Sequence, residues 1–147
     1  MKYWHLNTSS SINKNHMLKL NIGMIALEGP DEIRKHNTRD TMAQWERFKN
    51  NVSDNDEIML YHKGVGYIAH GTYKKYLDSL VLDNTDSSIL SPDKNWLGAI
   101  QGHIQVDKWK LFKKPSLKNP IYKSSIRVTL TSLSKGKELF QYLLNNT

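Results

Sequence analysis

Residues 54–73 read DNDEIMLYHKGVGYIAHGTY, and the alternation of apolar runs with turn formers in this stretch decides the fold. An acidic turn, Asp54-Asn55-Asp56, leads into the apolar run Ile58 to Tyr61. His62-Lys63-Gly64 then turns the chain into Val65-Gly66-Tyr67-Ile68-Ala69, so the pattern predicts a β-hairpin. Continuous apolar runs suit strands covered on both faces, and both strands are expected to be central ones. Gly64, Gly66 and Gly71 weaken a strand intrinsically. They mark either a bulge or a place where another backbone, or a ligand, comes close.

The chain around this hairpin has 147 residues, 38% of them hydrophobic. That is enough for one well-buried core and too little for two, so residues 1–147 are expected to form a single domain. There is no cysteine, which excludes disulfides and thiolate metal sites. The first residues, Met1 to Leu6, predict a strand over Tyr3 to Leu6 with Trp4 and Leu6 on one face and Tyr3 and His5 on the other. No apolar h-region follows them and no run of about 18 apolar residues occurs, so a soluble, cytoplasmic protein without a membrane partner is expected.

Outside the hairpin the expected elements are less regular. Asn7 to Asn13 is rich in side chains that bond their own backbone, which predicts a loop projecting hydroxyl and amide groups. Leu18 to Leu27 predicts a strand, broken by Glu28-Gly29-Pro30-Asp31. Thr41 to Gln44 fits a capping box, and Met42, Trp45, Phe48 and Val52 follow at helical spacing, which places Trp45 in the core. After the hairpin, Lys74 onward reads as an irregular or short strand and then a loop over Asp83 to Asp93. Gly102 to Phe112 predicts one long strand with a bulge near Asp107, and Pro115 and Pro120 predict a loop. A last strand through Ile126, Val128 and Leu130 precedes a helix capped by Ser134 and carrying Leu139, Phe140, Leu143 and Leu144. The sum is an α+β fold of five or six strands with two substantial helices.

The net charge of +7 is informative once located. From Met1 to Asp107, 12 basic residues face 13 acidic ones, whereas Lys108 to Lys137 holds nine basic residues and no acid. A basic segment beside a balanced body is what a phosphate backbone requires, because each neutralised phosphate releases counterions. A solvated lysine-rich face is the plain alternative. Strand parity through Trp109 and Leu111 turns Lys108 and Lys110 away from the apolar side; Lys113, Lys114 and Lys118 follow in the expected loop. These five are the expected phosphate contacts.

The six histidines show neither H-x-x-x-H nor H-x-H spacing, and no hydrolase elbow, P-loop or dinucleotide fingerprint is present. No metal, cofactor or catalytic set is therefore expected. Aromatic residues near polar loops beside a basic strip remain, the combination that stacks an exposed base while lysines hold the backbone. The order Lys2-Tyr3-Trp4-His5-Leu6-Asn7-Thr8-Ser9, a helix, then Ile58 to Lys63 and Gly64 to Ala69 resembles the EVE family of PUA-like domains. Ile104 to Trp109 ahead of Lys114-Pro115-Ser116-Leu117, and Ser125 to Leu130, resemble that family's later strands, an arrangement the YTH domains share.

The resemblance implies a small, strongly curved β-barrel flanked by helices. It also implies a reader that flips a modified base, expected to be methylated, into an aromatic-lined pocket, as in modification-dependent restriction systems similar to McrBC. Carried over by position, the loop after the first strand supplies Asn7, Thr8, Ser9 and Asn13, and Trp96 resembles the aromatic wall that follows a Ser-Pro loop, here Ser91-Pro92. Where YTH domains have Gly-Val-Trp-Ser this chain has Gly23-Met24-Ile25-Ala26, so Met24 or Tyr61 is left to line the second side. The implied partner is duplex DNA carrying the modified base. The alternatives are a PUA-type RNA-binding module and an amidohydrolase of the related ASCH type, for which no convergent Lys, Thr and Glu set is found.

Overall fold

The computed structural model describes residues 1–8, 14–28, 31–81, 100–116, 121–122, 126 and 128–145. Its elements are β1 (Tyr3–Thr8), α1 (Lys14–Leu20), β2 (Ile22–Glu28), α2 (Asp31–Asn51), β3 (Glu57–His62), β4 (Gly66–Val81), β5 (Ile100–Val106), β6 (Lys110–Ser116), β7 (Leu130–Ser132) and α3 (Gly136–Asn145). The described residues thus form an α+β fold of seven strands and three helices. The strands hydrogen-bond in the order β2-β5-β4-β3-β1-β7, with β6 pairing a second partner edge of β4.

The hairpin is where the sequence puts it, and both of its strands are central. β3 lies between β4 and a parallel β1, while the first half of β4 lies between β3 and β6 and its second half pairs β5. Gly64 and Gly66 have φ of 87° and 109°, a backbone region that a side chain resists, so the turn requires them. A bulge follows, since Leu60 pairs Ala69 but Tyr61 pairs Tyr67. Gly71 marks a close approach: a Cβ there would lie 2.8 Å from Cγ2 of Val106.

Because β1 is covered on both faces, its alternation divides the core in two. Trp4 and Leu6 pack with Met24, Ile25, Trp45, Phe48 and Ile104, under α2 and β2. Tyr3 packs with Met59, Tyr67, Phe112 and the buried Leu139 and Leu143 of α3. Full burial of each such aliphatic or aromatic side chain contributes about 1.5–3 kcal/mol, so these two layers hold the sheet between α2 and α3.

Several boundaries differ from the expected ones, each for a local reason. The run from Leu18 is shared between α1 and β2, because Asn21 adopts φ 57° and ends the helix in the left-handed conformation that asparagine tolerates. α2 begins at Asp31, ten residues before the expected start, and Thr41 is buried within it. Gln44 is no cap; its Oε1 accepts a 2.9 Å hydrogen bond from the Leu130 N–H. β4 runs on to Val81 where an irregular strand was expected. The long strand from Gly102 is two strands, broken at residues 107–109 where the Asp107 carboxylate accepts from the N–H groups of Thr72 and Lys108 and Trp109 turns inward to donate to the Ile22 carbonyl. Pro115 sits within β6 and not in a loop, as an edge strand allows. The last strand shrinks to Leu130–Ser132, leaving Ile126 and Val128 outside it. Among the described residues no helix is long and apolar enough to cross a membrane.

Candidate functional site

Strand direction gathers charge at one end of the sheet. β1 and β3 are parallel and finish together at Thr8 and His62; His62 pairs Gly66 at the start of β4, and Tyr67 pairs Ser116 at the end of β6. None of residues 7–8, 14–15, 61–67 and 113–116 is an acid, and Lys63, Lys113 and Lys114 are exposed there. The opposite end holds Asp54, Asp56, Glu57 and Asp107 among Lys2, Lys108 and Lys110; Thr72 ties two of the carboxylates, its hydroxyl donating to Glu57 at 3.1 Å and its N–H to Asp107 at 3.0 Å.

At the basic end Thr8 is buried, and its hydroxyl donates to the Tyr61 carbonyl at 3.0 Å while lying 3.3 Å from Nδ1 of His62. That hydroxyl has one proton. The contact with His62 is therefore satisfied when Nδ1 carries the imidazole proton, which leaves Nε2 as an acceptor. Burial, and then the Lys14 ammonium, holds the His62 pKa below its ordinary value, so the ring is neutral at neutral pH. The Lys63 N–H closes the end by donating to the Thr8 carbonyl at 3.0 Å. His62, Lys14 and Lys63 were not among the expected site residues. Only the parallel register of two strands 54 residues apart brings His62 to Thr8.

The expected base-pocket residues do not share one face. Asn7 and Thr8 are the last residues of β1, not part of the following loop. Asn7 and Tyr61 are register partners on the α3 face, where the Tyr61 ring lies 5.6 Å from that of His5 and 5.0 Å from that of Tyr67. Thr8 and His62 point to the other face, that of Leu6 and Met24, and Met24 is buried in the core there. Ser9, Asn13 and Trp96 lie outside the described residues.

Lys108, Lys110, Lys113 and Lys114 are all exposed, while Lys118 lies outside the described residues. Their division by parity is corrected by the break before β6. Trp109 and Phe112 are the buried residues and Leu111 is 66% exposed, so Lys110 has the parity of Phe112; Lys113 and Lys114 lie where the pairing with β4 shifts register between Leu111 and Ser116, and parity does not carry to them. Lys108 belongs to the connector.

A concavity of about 540 Å³ lies between α2 and β7, away from the basic sheet end, lined by Lys2, Trp4, Gln44, Arg47, Leu130 and Ser132 among others. Trp4 is fixed in its wall by a 3.0 Å hydrogen bond from Nε1 to the buried Asp56 carboxylate. Among the described residues no three His, Asp or Glu side chains are placed to hold a metal ion.

No known protein-family model matches the chain, and no curated protein matches it.

Proposed function

We propose that this chain is a nucleic-acid reader of the EVE and PUA-like kind, in which lysines of β6 and its flanks hold duplex DNA and one modified base is received at the sheet end where β1 and β3 stop. The observation that carries the reading is the acid-free end of the sheet: lysines 14, 63, 113 and 114 gather where β1, β3 and β6 stop and no described carboxylate stands, whereas the carboxylates at the other end are interleaved with Lys2, Lys108 and Lys110. From Lys110 to Lys114 an extended backbone covers at most about 13 Å, the axial rise of about four base pairs at roughly 3.4 Å each. The described strands do not close into the expected barrel, since their path ends at β2 and β7, but a long β4 shared by both parts of the sheet is compatible with a small curved sheet of that kind.

Extruding a base costs a few kcal/mol. Stacking on one aromatic ring returns about 1–3 kcal/mol, and Trp96 is the residue assigned to it. His62 Nε2 is an acceptor suited to an amino group on the base edge. Phosphate contacts supply the remainder and carry no information about the modification. The domain is a binding module with no chemical step of its own, of use as the specificity part of a modification-dependent restriction system.

Binding isotherms on matched duplexes, plain and carrying N6-methyladenine, 5-methylcytosine or 5-hydroxymethylcytosine, test this beside the corresponding RNAs. One modified duplex should bind at least about tenfold tighter than the plain one, a difference of roughly 1.4 kcal/mol, and Trp96→Ala should erase that preference with little change in melting temperature. Equal binding of all duplexes overturns the reading. Preference for RNA converts it to an RNA-binding module, and turnover of an acylated nucleoside would make the protein an enzyme.

A further inference from the structure

The groove between α2 and β7 is independent of the basic sheet end. Its geometry follows from β7 being the last strand of the sheet path. The Asn7 N–H donates to the Thr129 carbonyl and the Leu133 N–H to the Tyr3 carbonyl, so the odd residues of this segment bond β1. Residues 130 and 132 therefore turn their backbone groups away from β1. The Leu130 N–H is met by Gln44, and the Ser132 carbonyl accepts from the Thr131 hydroxyl at 3.2 Å. The Ser132 N–H, the Leu130 carbonyl and the second lone pair of the Ser132 carbonyl face the groove.

The facing wall is one stripe of α2, Gln44, Arg47 and Asn51, at helical spacing. The floor offers Trp4 and the 40% exposed Val128. Two cations, Lys2 and Arg47, stand on the rim, and none of the described lining residues is a carboxylate. Lys2 is held in place by donating from Nζ to the Asn51 carbonyl at 2.5 Å. The Asp56 carboxylate beneath Trp4 is engaged by Trp4, Lys2 and Ser53.

The geometry points to a docking site for an extended peptide rich in acidic residues, added along the edge of β7 that no described strand pairs and that α2 covers only at the Leu130 N–H. The outward carbonyls accept hydrogen bonds that a peptide backbone donates at strand spacing and that a phosphate backbone cannot donate. The rim cations select glutamate or aspartate on alternate residues, while the intervening side chains reach Val128 and Trp4. A cavity of about 540 Å³ is within the size range of ligand-binding clefts.

The test uses the full chain and a ten-residue peptide alternating valine with glutamate, with a valine–lysine peptide as control. Backbone amide shifts on titration should cluster at residues 44, 47, 51 and 128–132. Ser132→Pro should keep the melting temperature, since the lost N–H is not part of the ladder and proline is tolerated at such an edge position, yet weaken the glutamate peptide at least about tenfold. Arg47→Glu, a change on the exposed surface of α2, should shift the preference toward the lysine peptide even if Ser132→Pro perturbs folding. Unchanged binding by both variants overturns the proposal, as do shifts confined to β6. Displacement of the peptide by a dT decamer with shifts at the same amides would assign the groove to nucleic acid and overturn it equally.

Discussion

Gly102 of β5 packs directly against the indole of Trp45 on α2: a Cβ on residue 102 would lie 2.6 Å from Cζ2 of that ring. No side chain fits between strand and helix at this point. Trp45 is fully buried, stacked at 20° on Phe48 with ring centres 5.6 Å apart.

Trp45→Ala should therefore cost about 3–5 kcal/mol of stability, and Gly102→Ala about 1–3 kcal/mol through overpacking. The two should not add. With the indole removed, the extra methyl fills part of the cavity, so urea unfolding of the double variant should show less loss than the sum of the singles. Additive losses would place the two residues out of contact.

Acid should weaken the fold through His5 before it protonates the carboxylates. The ring is 1% exposed and its Nδ1 lies 2.8 Å from the Tyr67 hydroxyl. Burial pushes the His5 pKa down to about 4 from 6.5, and burial raises that of Tyr67, so the phenol donates to a neutral imidazole. Between pH 4 and 6.5 the unfolded chain binds a proton that the folded chain refuses, and stability rises with pH across this window by up to about 3 kcal/mol. His62, depressed in the same direction, adds to the effect. Urea midpoints at pH 4.5 and 7.5 measure it; His5→Phe should flatten the difference while lowering neutral-pH stability by about 1–3 kcal/mol, because the Tyr67 hydroxyl loses its acceptor. Equal midpoints in the wild type would contradict the assignment.

Asp56 governs a lower window. Its burial opposes ionisation, but hydrogen bonds from the Lys2 N–H at 2.8 Å, Trp4 Nε1 at 3.0 Å and the Ser53 N–H at 2.9 Å outweigh that and hold its pKa below the ordinary 3.8. Its contribution is complete above pH 3.8 and is lost as the pH falls through the folded value. Asp56→Asn, which turns an amide toward donors, should cost about 3 kcal/mol at neutral pH and remove the part of acid unfolding that occurs below pH 4. A circular-dichroism acid titration of both proteins distinguishes the outcomes, and coincident acid limbs would exclude Asp56 as the group responsible.

Lys113→Glu with Lys114→Glu should weaken plain and modified duplexes alike if the β6 lysines meet phosphates. Each contact removed should lower the magnitude of the slope of log K against log salt by roughly 0.9. Melting temperature should stay put, as both side chains are exposed. A salt titration in which the slope is unchanged would reduce the lysines to guards of an open strand edge.

The sequence by itself determined the hairpin, the two-faced burial of β1 and the core position of Trp45, because each rests on local periodicity: period two for Trp4 and Leu6 against Tyr3 and His5, period 3.6 for Trp45 and Phe48. It also located the basic segment, since charge is a property of composition. Only the tertiary structure decided where α1 ends, because that depends on one left-handed residue, Asn21, whose carbonyl and side chain bond Val106 and Trp109 far along the chain. The phase of the β6 lysines was likewise hidden by a three-residue break that the Asp107 carboxylate closes, and parity cannot be carried across such a break. The meeting of Thr8 with His62, the acid-free lysine end of the sheet and the edge of β7 left unpaired among the described residues all depend on pairings between strands distant in sequence. Local pattern carries no information about which strand lies beside which, and those pairings set the geometry of both candidate sites.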